Sequence, residues 1–529
     1  MPQTGATHTM ARVNQTDELR RRLRGSWAVD QSPRDRLWGW LGPLTVAVIG
    51  GILRFWSLGR PGRLIFDETY YVKQAASLLR FGIEMRIRDG LEEPDELWNV
   101  GDQDVWGTTG DFVVHGPVGK WVIAAGEAIF GTTSTFGWRF SVALLGTLSI
   151  LMVGRAARRM FGSTLLGTVA AFLVAFEGHH FVHSRTGLLD IIVMFFVLAA
   201  FCALLIDRDA GRDVLARKVA AGASTAYGPW LGWRPWRWVA GAMLGLAIGT
   251  KWSGLYALAV FGLLTVLWDI GARRAAGVRR WMVGGLVKDC LPAFLAMVPT
   301  ALVVYVASWF GWFRNSAGYL RQWGAENPSE SFGWVPDSIR SLWKYHQDAY
   351  RFHVGLASDH PYEANPWSWI VQGRPTSFLY ETPEPELCGA DRCSQAITSV
   401  GTVPIWWLAT IALAFLLYHW AFRRDWRAGA ILAGFAAMYL PWFFYQGRTI
   451  YGFYSIAFLP YVVLAATFML GLALGRDTDS FRRRQLGLLT VGAYCLLVLL
   501  VFAFFWPIYT AQIIPYTEWW QRMWFPSWV

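Results

Sequence analysis

Apolar runs long enough to cross a lipid bilayer recur along almost the whole chain, and no other feature limits its fold as strongly. A spanning helix needs roughly 17 to 25 apolar residues, and lipid tolerates no unpaired backbone groups, so each run is predicted to be a helix. The predicted spans are 38–58, 138–158, 162–182, 187–206, 236–250, 252–269, 290–309, 402–421, 428–446, 450–474 and 485–507. The sequence therefore predicts an all-α polytopic membrane protein with about eleven transmembrane helices.

The composition agrees with a membrane protein. Of 529 residues, 54% are hydrophobic and 16% are charged, whereas roughly a quarter of the residues of a soluble domain are charged. The net charge of +11 could suggest nucleic acid, but Lys and Arg cluster at the ends of the apolar runs, as cytoplasmic loops require. We therefore expect membrane lipids around this chain, and no nucleic acid.

The basic clusters also predict the topology. The tail 1–36 is Arg-rich, and the apolar run after it is too long for a cleaved signal and has no small-residue cleavage site. With that tail inside, the positive-inside rule is satisfied by the segments 155–160, 207–218, 272–280, 422–427 and 481–485. The domain 37–507 would then cross the plasma membrane and leave the tail 508–529 outside.

Two long loops are acid-rich, which suits an outer face. The loop 59–137 holds seven Lys and Arg against twelve Asp and Glu, and the loop 310–401 holds seven against ten. The segment 117–131 is apolar enough to be mistaken for a span, but a crossing there would put the basic segment 155–160 outside. We therefore predict that 117–131 and 68–82 are helices lying in the interface.

Two of the five cysteines share a polar loop, in "ELCGADRCSQ". Cys388 and Cys393 would form a disulfide if that loop faces an oxidising exterior, and would otherwise be free thiols. The predicted topology favours the disulfide.

An acidic pair follows the first span, in "RLIFDETYYVKQA". Asp67 and Glu68 are adjacent, so they point in different directions on any regular helix or strand. Asp67 could be the N-cap of the helix that follows, or one of the two carboxylates could be catalytic. From the residues alone both interpretations stay open.

Cations gather at the same predicted outer face. Lys120, in "VVHGPVGKW", could snorkel to head groups or bind a lipid phosphate, whereas His115 in that turn is more simply a solvated histidine. Arg448 lies in a tight turn between two spans and suits bidentate phosphate recognition. Arg139 and Lys251 sit at ends of spans, where ionisable groups usually pair or line a polar cavity.

The segment "EGHHFVHSRTGLLD", 177–190, adds histidines and two further charges. An ion pair between Arg185 and Asp190 is the structural interpretation. The histidine spacing resembles a set of metal ligands but is not an HExxH site, so no cofactor is firmly predicted and a divalent cation stays open.

The outer segment 358–381 could form a binding surface over the membrane, or an aromatic belt. Its candidate residues are His360, Glu363 and Trp367. Acids and cations thus converge on one face of the membrane beside interfacial helices. The simplest joint explanation is a site for a lipid-linked phosphate donor.

At this point a family resemblance is visible. The chain resembles the protein O-mannosyltransferases of the actinobacterial type over about residues 50 to 470. The resemblance is carried by an ordered set of motifs: "FDETYY", "HGPVGKW", "GWRFSVALLG", "SRTGLLD", "GTKWSGLYAL", "HPYEANPWSW" and "YGFYSIAFLPY". The chain departs from the family where the usual "HPP" reads "HGP" at 115–117, and 310–401 is too short for the β-trefoil domain of eukaryotic relatives.

The resemblance implies a GT-C membrane fold, a polyprenyl-phosphate-mannose donor, and transfer to Ser or Thr hydroxyls of exported proteins, with the secretion channel as an open further partner. Asp67 is the expected general base of an inverting displacement, and Glu68 is expected to hold local structure or a neighbouring cation. The expected ligands of the donor phosphate are Arg139, Lys251, Arg448 and Lys120. The expected acceptor or sugar site comprises His115, Asp190, Arg185, His360, Glu363 and Trp367.

Two rival functions are weighed against this one. Another GT-C enzyme, glycosylating a lipid or a cell-wall glycan, would share the architecture and the donor site. A transporter or flippase would instead place charges along a path through the middle of the bilayer, often in two related halves. Here the polar residues gather at one end, which favours an enzyme.

Overall fold

The structure is a computed structural model that describes residues 15–25, 31–476 and 478–529. Within those ranges, nine helical segments are long and apolar enough to cross a membrane. They are Pro33–Phe55, Thr135–Phe161, Leu189–Ala220, Gly254–Ala275, Trp281–Ser308, Val403–Ala421, Trp426–Phe444, Gly452–Leu474 and Phe481–Tyr509. The predicted all-α polytopic membrane protein is confirmed.

The two remaining predicted spans also fall on helices, but these are shorter. Thr164–Ala175 has 12 residues and Pro235–Thr250 has 16. At about 1.5 Å per residue they cover less than a hydrocarbon core of about 30 Å. Both pack against longer neighbours: Thr164–Ala175 contacts Thr135–Phe161, and Pro235–Thr250 contacts Leu189–Ala220.

The helix Leu189–Ala220 runs well past the apolar segment that predicted it, through "DRDAGRDVLARK". The sequence predicts a loop for these charges, and the structure shows a helix instead. Asp207 is buried and paired with arginines at a neighbouring helix end. Arg212 is also buried, and its Nη2 donates to the Trp268 carbonyl at 3.4 Å. Arg234 and Arg237 bind the Asp207 carboxylate, at 2.5 Å for Arg234 Nη2 and at 3.2 Å for Arg237 Nε.

That pairing extends into a buried ionic network at one end of the bundle. Arg234 also approaches Asp269 at 3.2 Å, and Arg237 pairs with the same carboxylate. Arg273 binds Asp289 through Nε at 2.6 Å and through Nη2 at 2.8 Å. The network joins three helices and the π-helical turn Leu286–Cys290.

The first long loop contains both helices that were predicted to lie in the interface, at Glu68–Phe81 and Val118–Phe130. They pack against each other. Gly82, with φ at +77°, ends the first one in the left-handed conformation that glycine tolerates best. Between them lie the helix Pro94–Asn99 and the antiparallel strands β1 (Met85–Ile87) and β2 (Trp106–Gly110).

The second long loop is tied to the C-terminal tail. The antiparallel strands β3 (Thr376–Glu381), β4 (Cys393–Ser399) and β5 (Ile513–Pro515) pair in that order. The Cys388–Cys393 disulfide is present, as the predicted topology favoured, and it joins the loop before β4 to the first residue of that strand. The shorter helices of this loop and of the tail are Phe310–Arg314, Trp323–Glu326, Asp337–Gly355, Pro366–Trp369 and Tyr516–Gln521.

Candidate active site

A strained turn presents Asp67. Phe66 has φ at +49°, a conformation that costs a non-glycine residue free energy unless its surroundings hold it. Its ring is held by stacking on Phe378 at 4.3 Å and by the edge of Phe453 at 5.2 Å. Asp67 is therefore fixed at the position just before the helix Glu68–Phe81.

The Asp67 side chain does not cap that helix, although it occupies the N-cap position. Within the described residues its carboxylate makes no hydrogen bond and no ion pair. Burial is the largest influence on this group and raises the pKa of Asp67 to about 6, while Lys251 lowers it and Asp190 raises it further. The capping hydrogen bond is thus absent among the described residues, and the carboxylate is available to interact with a ligand.

The neighbouring carboxylate is fully engaged. Glu68 is completely buried and receives two parallel hydrogen bonds from Arg139, at 2.8 Å from Nε and 2.7 Å from Nη2. It also accepts from the backbone N–H groups of Gly187 at 2.7 Å and Ile65 at 3.1 Å. Glu68 therefore ties the loop before its helix to the segment that leads into Leu189–Ala220.

Arg139 has no free donor to offer a ligand. Besides Glu68, its guanidinium donates to the carbonyl oxygens of Pro61 and Arg63, both at 2.9 Å, and of Leu58 at 3.3 Å. It is completely buried and does not line the cavity described next.

A cavity of about 310 Å³ lies at the end of the bundle that bears Asp67. Five of its lining residues can carry charge: His115, Asp190, Lys251, His353 and Arg448. Aromatic side chains make up much of the wall: Trp252, Tyr256, Tyr350, Trp442, Tyr445 and Tyr454. Asp67 does not line the cavity, but Lys251 and Asp190, which do, both influence the pKa of its carboxyl group, so Asp67 lies close to the cavity.

The Lys251 ammonium is fixed by Asp190. Its Nζ donates to both oxygens of that carboxylate, at 2.9 and 2.7 Å, and lies 5.4 Å from the centre of the Tyr454 ring. Lys251 follows the helix Pro235–Thr250, and Asp190 sits in the first turn of Leu189–Ala220. The ion pair proposed between Arg185 and Asp190 is therefore wrong, because Lys251 takes the carboxylate.

Arg448 is the cavity cation without a carboxylate partner. It lies in the link between Trp426–Phe444 and Gly452–Leu474. Its only side-chain hydrogen bond among the described residues is a long one, 3.4 Å from Nε to the Thr449 carbonyl. Its guanidinium fork can therefore receive an anion that enters the cavity.

His115 lines the cavity as a neutral group. Its ring lies 5.1 Å from that of His353, which is held by a 2.8 Å hydrogen bond from Nε2 to the Val114 carbonyl. Burial lowers the pKa of His115 well below its ordinary value, and Lys251 and His353 lower it further.

Two other predicted site residues are bound elsewhere. Lys120 is completely buried, pairs with Glu84, and donates to the His115 carbonyl at 3.0 Å. Arg185 donates to the backbone carbonyls of Arg54 at 2.8 Å and Trp56 at 2.7 Å. Neither side chain lines the cavity.

The outer-loop candidates lie on the surface above the site. The His360 ring contacts Tyr451 at 5.0 Å, and Glu363 forms a backbone bridge with the same residue. Trp367 is 70% exposed and packs against Phe443 at 4.7 Å. Burial raises the pKa of Tyr451, and the carboxylates of Asp67 and Glu363 raise it further.

The histidine-rich segment is a packing element in the described chain. Glu177 caps the helix Gly178–His183 and accepts hydrogen bonds from Thr402 and Trp406. Among residues 15–25, 31–476 and 478–529 there is no group of three or more His, Cys, Asp or Glu that could hold a metal ion.

Sequence reasoning missed most of the cavity wall. His353 stands in the helix Asp337–Gly355, in no motif that drew attention. Tyr256 and Tyr445 come from distant segments, and their hydroxyl groups lie 3.0 Å apart. The available signals were the aromatic residues of two quoted motifs, "GTKWSGLYAL" with Trp252 and Tyr256, and "YGFYSIAFLPY" with Tyr454.

Comparison with known proteins agrees with this architecture. Residues 105–282 match the family model described as dolichyl-phosphate-mannose-protein mannosyltransferase. Residues 338–528 match the C-terminal four TMM region of protein-O-mannosyltransferase. The solved Saccharomyces cerevisiae Pmt1-Pmt2 complex bound to the sugar donor superposes with a TM-score of 0.68 at 14% identity, covering 94% of this chain and 93% of that chain. The fold is therefore that of the GT-C glycosyltransferases, as predicted.

Sequence relatives narrow the class to one family. A polyprenol-phosphate-mannose–protein mannosyltransferase of Mycolicibacterium smegmatis is 39% identical over 509 residues, covering 94% of this chain and 95% of the relative. The protein of that name in Mycobacterium tuberculosis is 38% identical and covers 94% of each chain. The chain belongs to the protein mannosyltransferase family.

Proposed function

We propose that this protein transfers mannose from polyprenyl-phosphate-mannose to Ser or Thr hydroxyl groups of exported proteins, at the outer face of the plasma membrane. One observation carries the proposal: the Asp67 carboxylate has no hydrogen-bond partner among the described residues and stands beside a cavity that offers Lys251 and Arg448. Family membership supplies the donor and the acceptor class.

Asp67 acts as the general base. It removes the proton of the acceptor hydroxyl while the hydroxyl oxygen bonds to the anomeric carbon of mannose. The bond from that carbon to the phosphate oxygen breaks on the opposite side, so configuration inverts and polyprenyl phosphate leaves. The raised pKa of Asp67, about 6, suits a base that works near neutral pH.

Arg448 and Lys251 receive the phosphate. Negative charge grows on the leaving phosphate as the bond breaks, and cations fixed beforehand stabilise it without reorganising. Arg448 contributes a guanidinium that no carboxylate neutralises within the described residues, and Lys251 an ammonium held in place by Asp190. Asp190 therefore positions Lys251 and also lines the cavity.

Arg139 and Lys120 hold neighbouring segments in place and do not contact the phosphate. Their cationic groups are bound to Glu68 and Glu84, away from the cavity. Glu68 likewise fixes the loop from which Asp67 projects, which leaves Asp67 as the sole base of the pair. His115 contributes a neutral wall, and Glu363, His360 and Trp367 lie where an acceptor chain would pass.

The direct test is a purified reaction. Protein in nanodiscs is incubated with polyprenyl-phosphate-mannose and a Thr-containing peptide, and the peptide mass is measured. A gain of one mannosyl group is expected, and it should disappear when Thr is replaced by Val. Parallel incubation with glycan acceptors distinguishes this function from that of the rival GT-C enzyme. A mannosylated glycan together with an unmodified peptide would refute the proposal.

The outer location needs its own measurement. A cysteine at the exposed position Tyr70, one turn from Asp67, should react with a membrane-impermeant maleimide in intact cells. A cysteine at Arg279, at the opposite end of the bundle, should react only after the membrane is permeabilised. The reverse pattern would place the site in the cytoplasm.

A further inference from the structure

A second cavity lies at the end of the bundle opposite to Asp67. It has a volume of about 830 Å³ and is bordered by the turn after Thr135–Phe161 and by the ends of five other spanning helices. Four arginines, one histidine and two aspartates face it: Arg423, Arg427, Arg476, Arg484, His419, Asp35 and Asp425. This basic cleft has no part in the proposed mannosyl transfer.

Two arginines of the basic cleft lack a carboxylate partner. Arg423 and Arg476 are exposed, and neither side chain makes a hydrogen bond or an ion pair in the described ranges. Arg427, in contrast, is paired with Asp425, with contacts of 2.9 and 3.1 Å from Nε and 2.6 Å from Nη2. The Arg427–Asp425 pair therefore forms a neutral wall, and Arg423 and Arg476 supply the positive charge.

One side of the basic cleft is apolar and continues onto the surface that faces lipid. Leu165, Tyr418 and Leu472 line the cleft and are 40%, 48% and 43% exposed. Deeper in the cleft, the His419 ring packs on Phe468 at 5.0 Å. A ligand with a charged head and apolar chains would match both sides at once.

We propose that the basic cleft binds the head group of an anionic phospholipid from the surrounding bilayer. Basic pockets between spanning helices are suited to such head groups, and arginine binds phosphate through a bidentate fork. The volume lies in the range of small-molecule sites and exceeds what one inorganic phosphate would fill. The apolar wall selects the lipid over a free anion, because only the lipid covers it.

The test compares two double variants with the same change in charge. R423E/R476E removes the two unpaired cations of the cleft. R217E/R279E changes two exposed arginines at the same end of the bundle that do not line it. Each full-length protein is purified in neutral detergent and titrated with cardiolipin, phosphatidylcholine or inorganic phosphate while bound lipid is counted by native mass spectrometry.

Wild type and R217E/R279E should retain cardiolipin, and R423E/R476E should bind it at least about tenfold more weakly. Neither the wild type nor the double variants should bind phosphatidylcholine at this site. Equal cardiolipin affinity in both double variants would overturn the proposal, and so would saturation by inorganic phosphate without lipid binding. The neutral variant R423Q/R476Q, with the same weakened binding expected, replaces R423E/R476E if that protein does not fold.

An assay of mannosyl transfer distinguishes a failure of this proposal from a failure of the proposed function. The R423E/R476E protein, assayed in zwitterionic detergent without anionic lipid, should keep wild-type peptide mannosylation, because the cleft lies at the far end of the helices from Asp67. Its unfolding temperature should no longer rise when cardiolipin is added. An unfolding temperature that rises as much as that of wild type would contradict the assignment of the cleft.

Discussion

Two charged clusters of this protein contain the same kinds of residue, but within the described ranges the side chains are paired in one cluster and unpaired in the other. At one end, Asp207, Asp269, Arg234 and Arg237 are buried and bind one another through several short contacts. At the other end, Arg448 lines a cavity and Asp67 lies close to residues that line it, and neither side chain has an ion-pair partner among the described residues. Paired buried charges hold helices in register, whereas charges left free beside a cavity can act on a ligand.

The adjacent pair Asp67 and Glu68 repeats this contrast within two residues. Glu68 accepts four hydrogen bonds, and Asp67 accepts none with its side chain. Sequence position alone does not separate them. The number of hydrogen bonds each carboxylate receives does.

The largest expected effect comes from Asp67→Asn. This change keeps the size of the side chain but removes the base, so kcat for peptide mannosylation should fall by roughly 10² to 10⁴-fold. Thermal unfolding should not change, because no contact of the carboxylate is lost. The measurement is turnover of purified protein beside its melting curve.

Glu68→Gln is the matched comparison. It breaks the charge pair with Arg139 in a fully buried site, so it should lower stability by about 3–5 kcal/mol, the usual cost of breaking such a pair. If Glu68→Gln leaves the melting temperature unchanged while Asp67→Asn lowers it, the roles of the two carboxylates are reversed.

Asp269→Asn tests the ionic network at the far end. It leaves Arg234 and Arg237 with one buried carboxylate instead of two, and should destabilise the protein by about 3–5 kcal/mol. Turnover per folded molecule should equal that of wild type, because the network lies far from the cavity. Activity per folded molecule that drops together with stability would show that the two ends are coupled.

Arg448→Ala should act mainly on the donor. Losing a charged hydrogen-bond donor costs about 1.5–3 kcal/mol, which corresponds to a rise of about 10- to 150-fold in the KM for polyprenyl-phosphate-mannose. The KM for the peptide should change little. A titration of each substrate at saturating levels of the other separates these outcomes, and Arg448→Lys should recover part of the loss.

The smallest expected effect is a shift in the pH dependence of kcat/KM, and the direction of that shift is specific to Asp67. A base works only when ionised, so kcat/KM should fall as the pH drops through about 6, the raised pKa of Asp67. Burial is the main cause of that raised pKa. Lys251→Met removes a nearby positive charge that lowers this pKa, so the acid limb should move to higher pH; movement to lower pH would exclude Asp67 as the titrating group.

Much of the architecture could be predicted because bilayer thickness imposes a length on each apolar run. All eleven runs fall on helices, although Thr164–Ala175 and Pro235–Thr250 are shorter than a full span. Basic residues at helix ends suggested loops, but in Leu189–Ala220 the helix continues through them. Periodicity and charge do not reveal that arginines from other segments will meet the carboxylates of this helix.

The candidate site was predictable in part. Asp67, Lys251 and Arg448 were named from their positions at the ends of spans, and the structure brings Lys251 and Arg448 to one cavity next to Asp67. The choice of partners was not predictable: Asp190 binds Lys251 and not Arg185, which is five residues away. Nearness in sequence is a weak guide when helices return from the other side of the membrane.

By itself, the sequence determined that this chain forms a bundle of spanning helices, with an acidic pair and several cations at one end, because apolar length and charge position are local properties. Tertiary structure alone decided which of those charges are neutralised. Arg139 is saturated by Glu68 and three carbonyl oxygens, whereas the Arg448 guanidinium makes one long hydrogen bond, to the Thr449 carbonyl, and no ion pair within the part of the chain that the structure describes. That difference arises from distances between segments far apart in the chain, which no residue pattern contains.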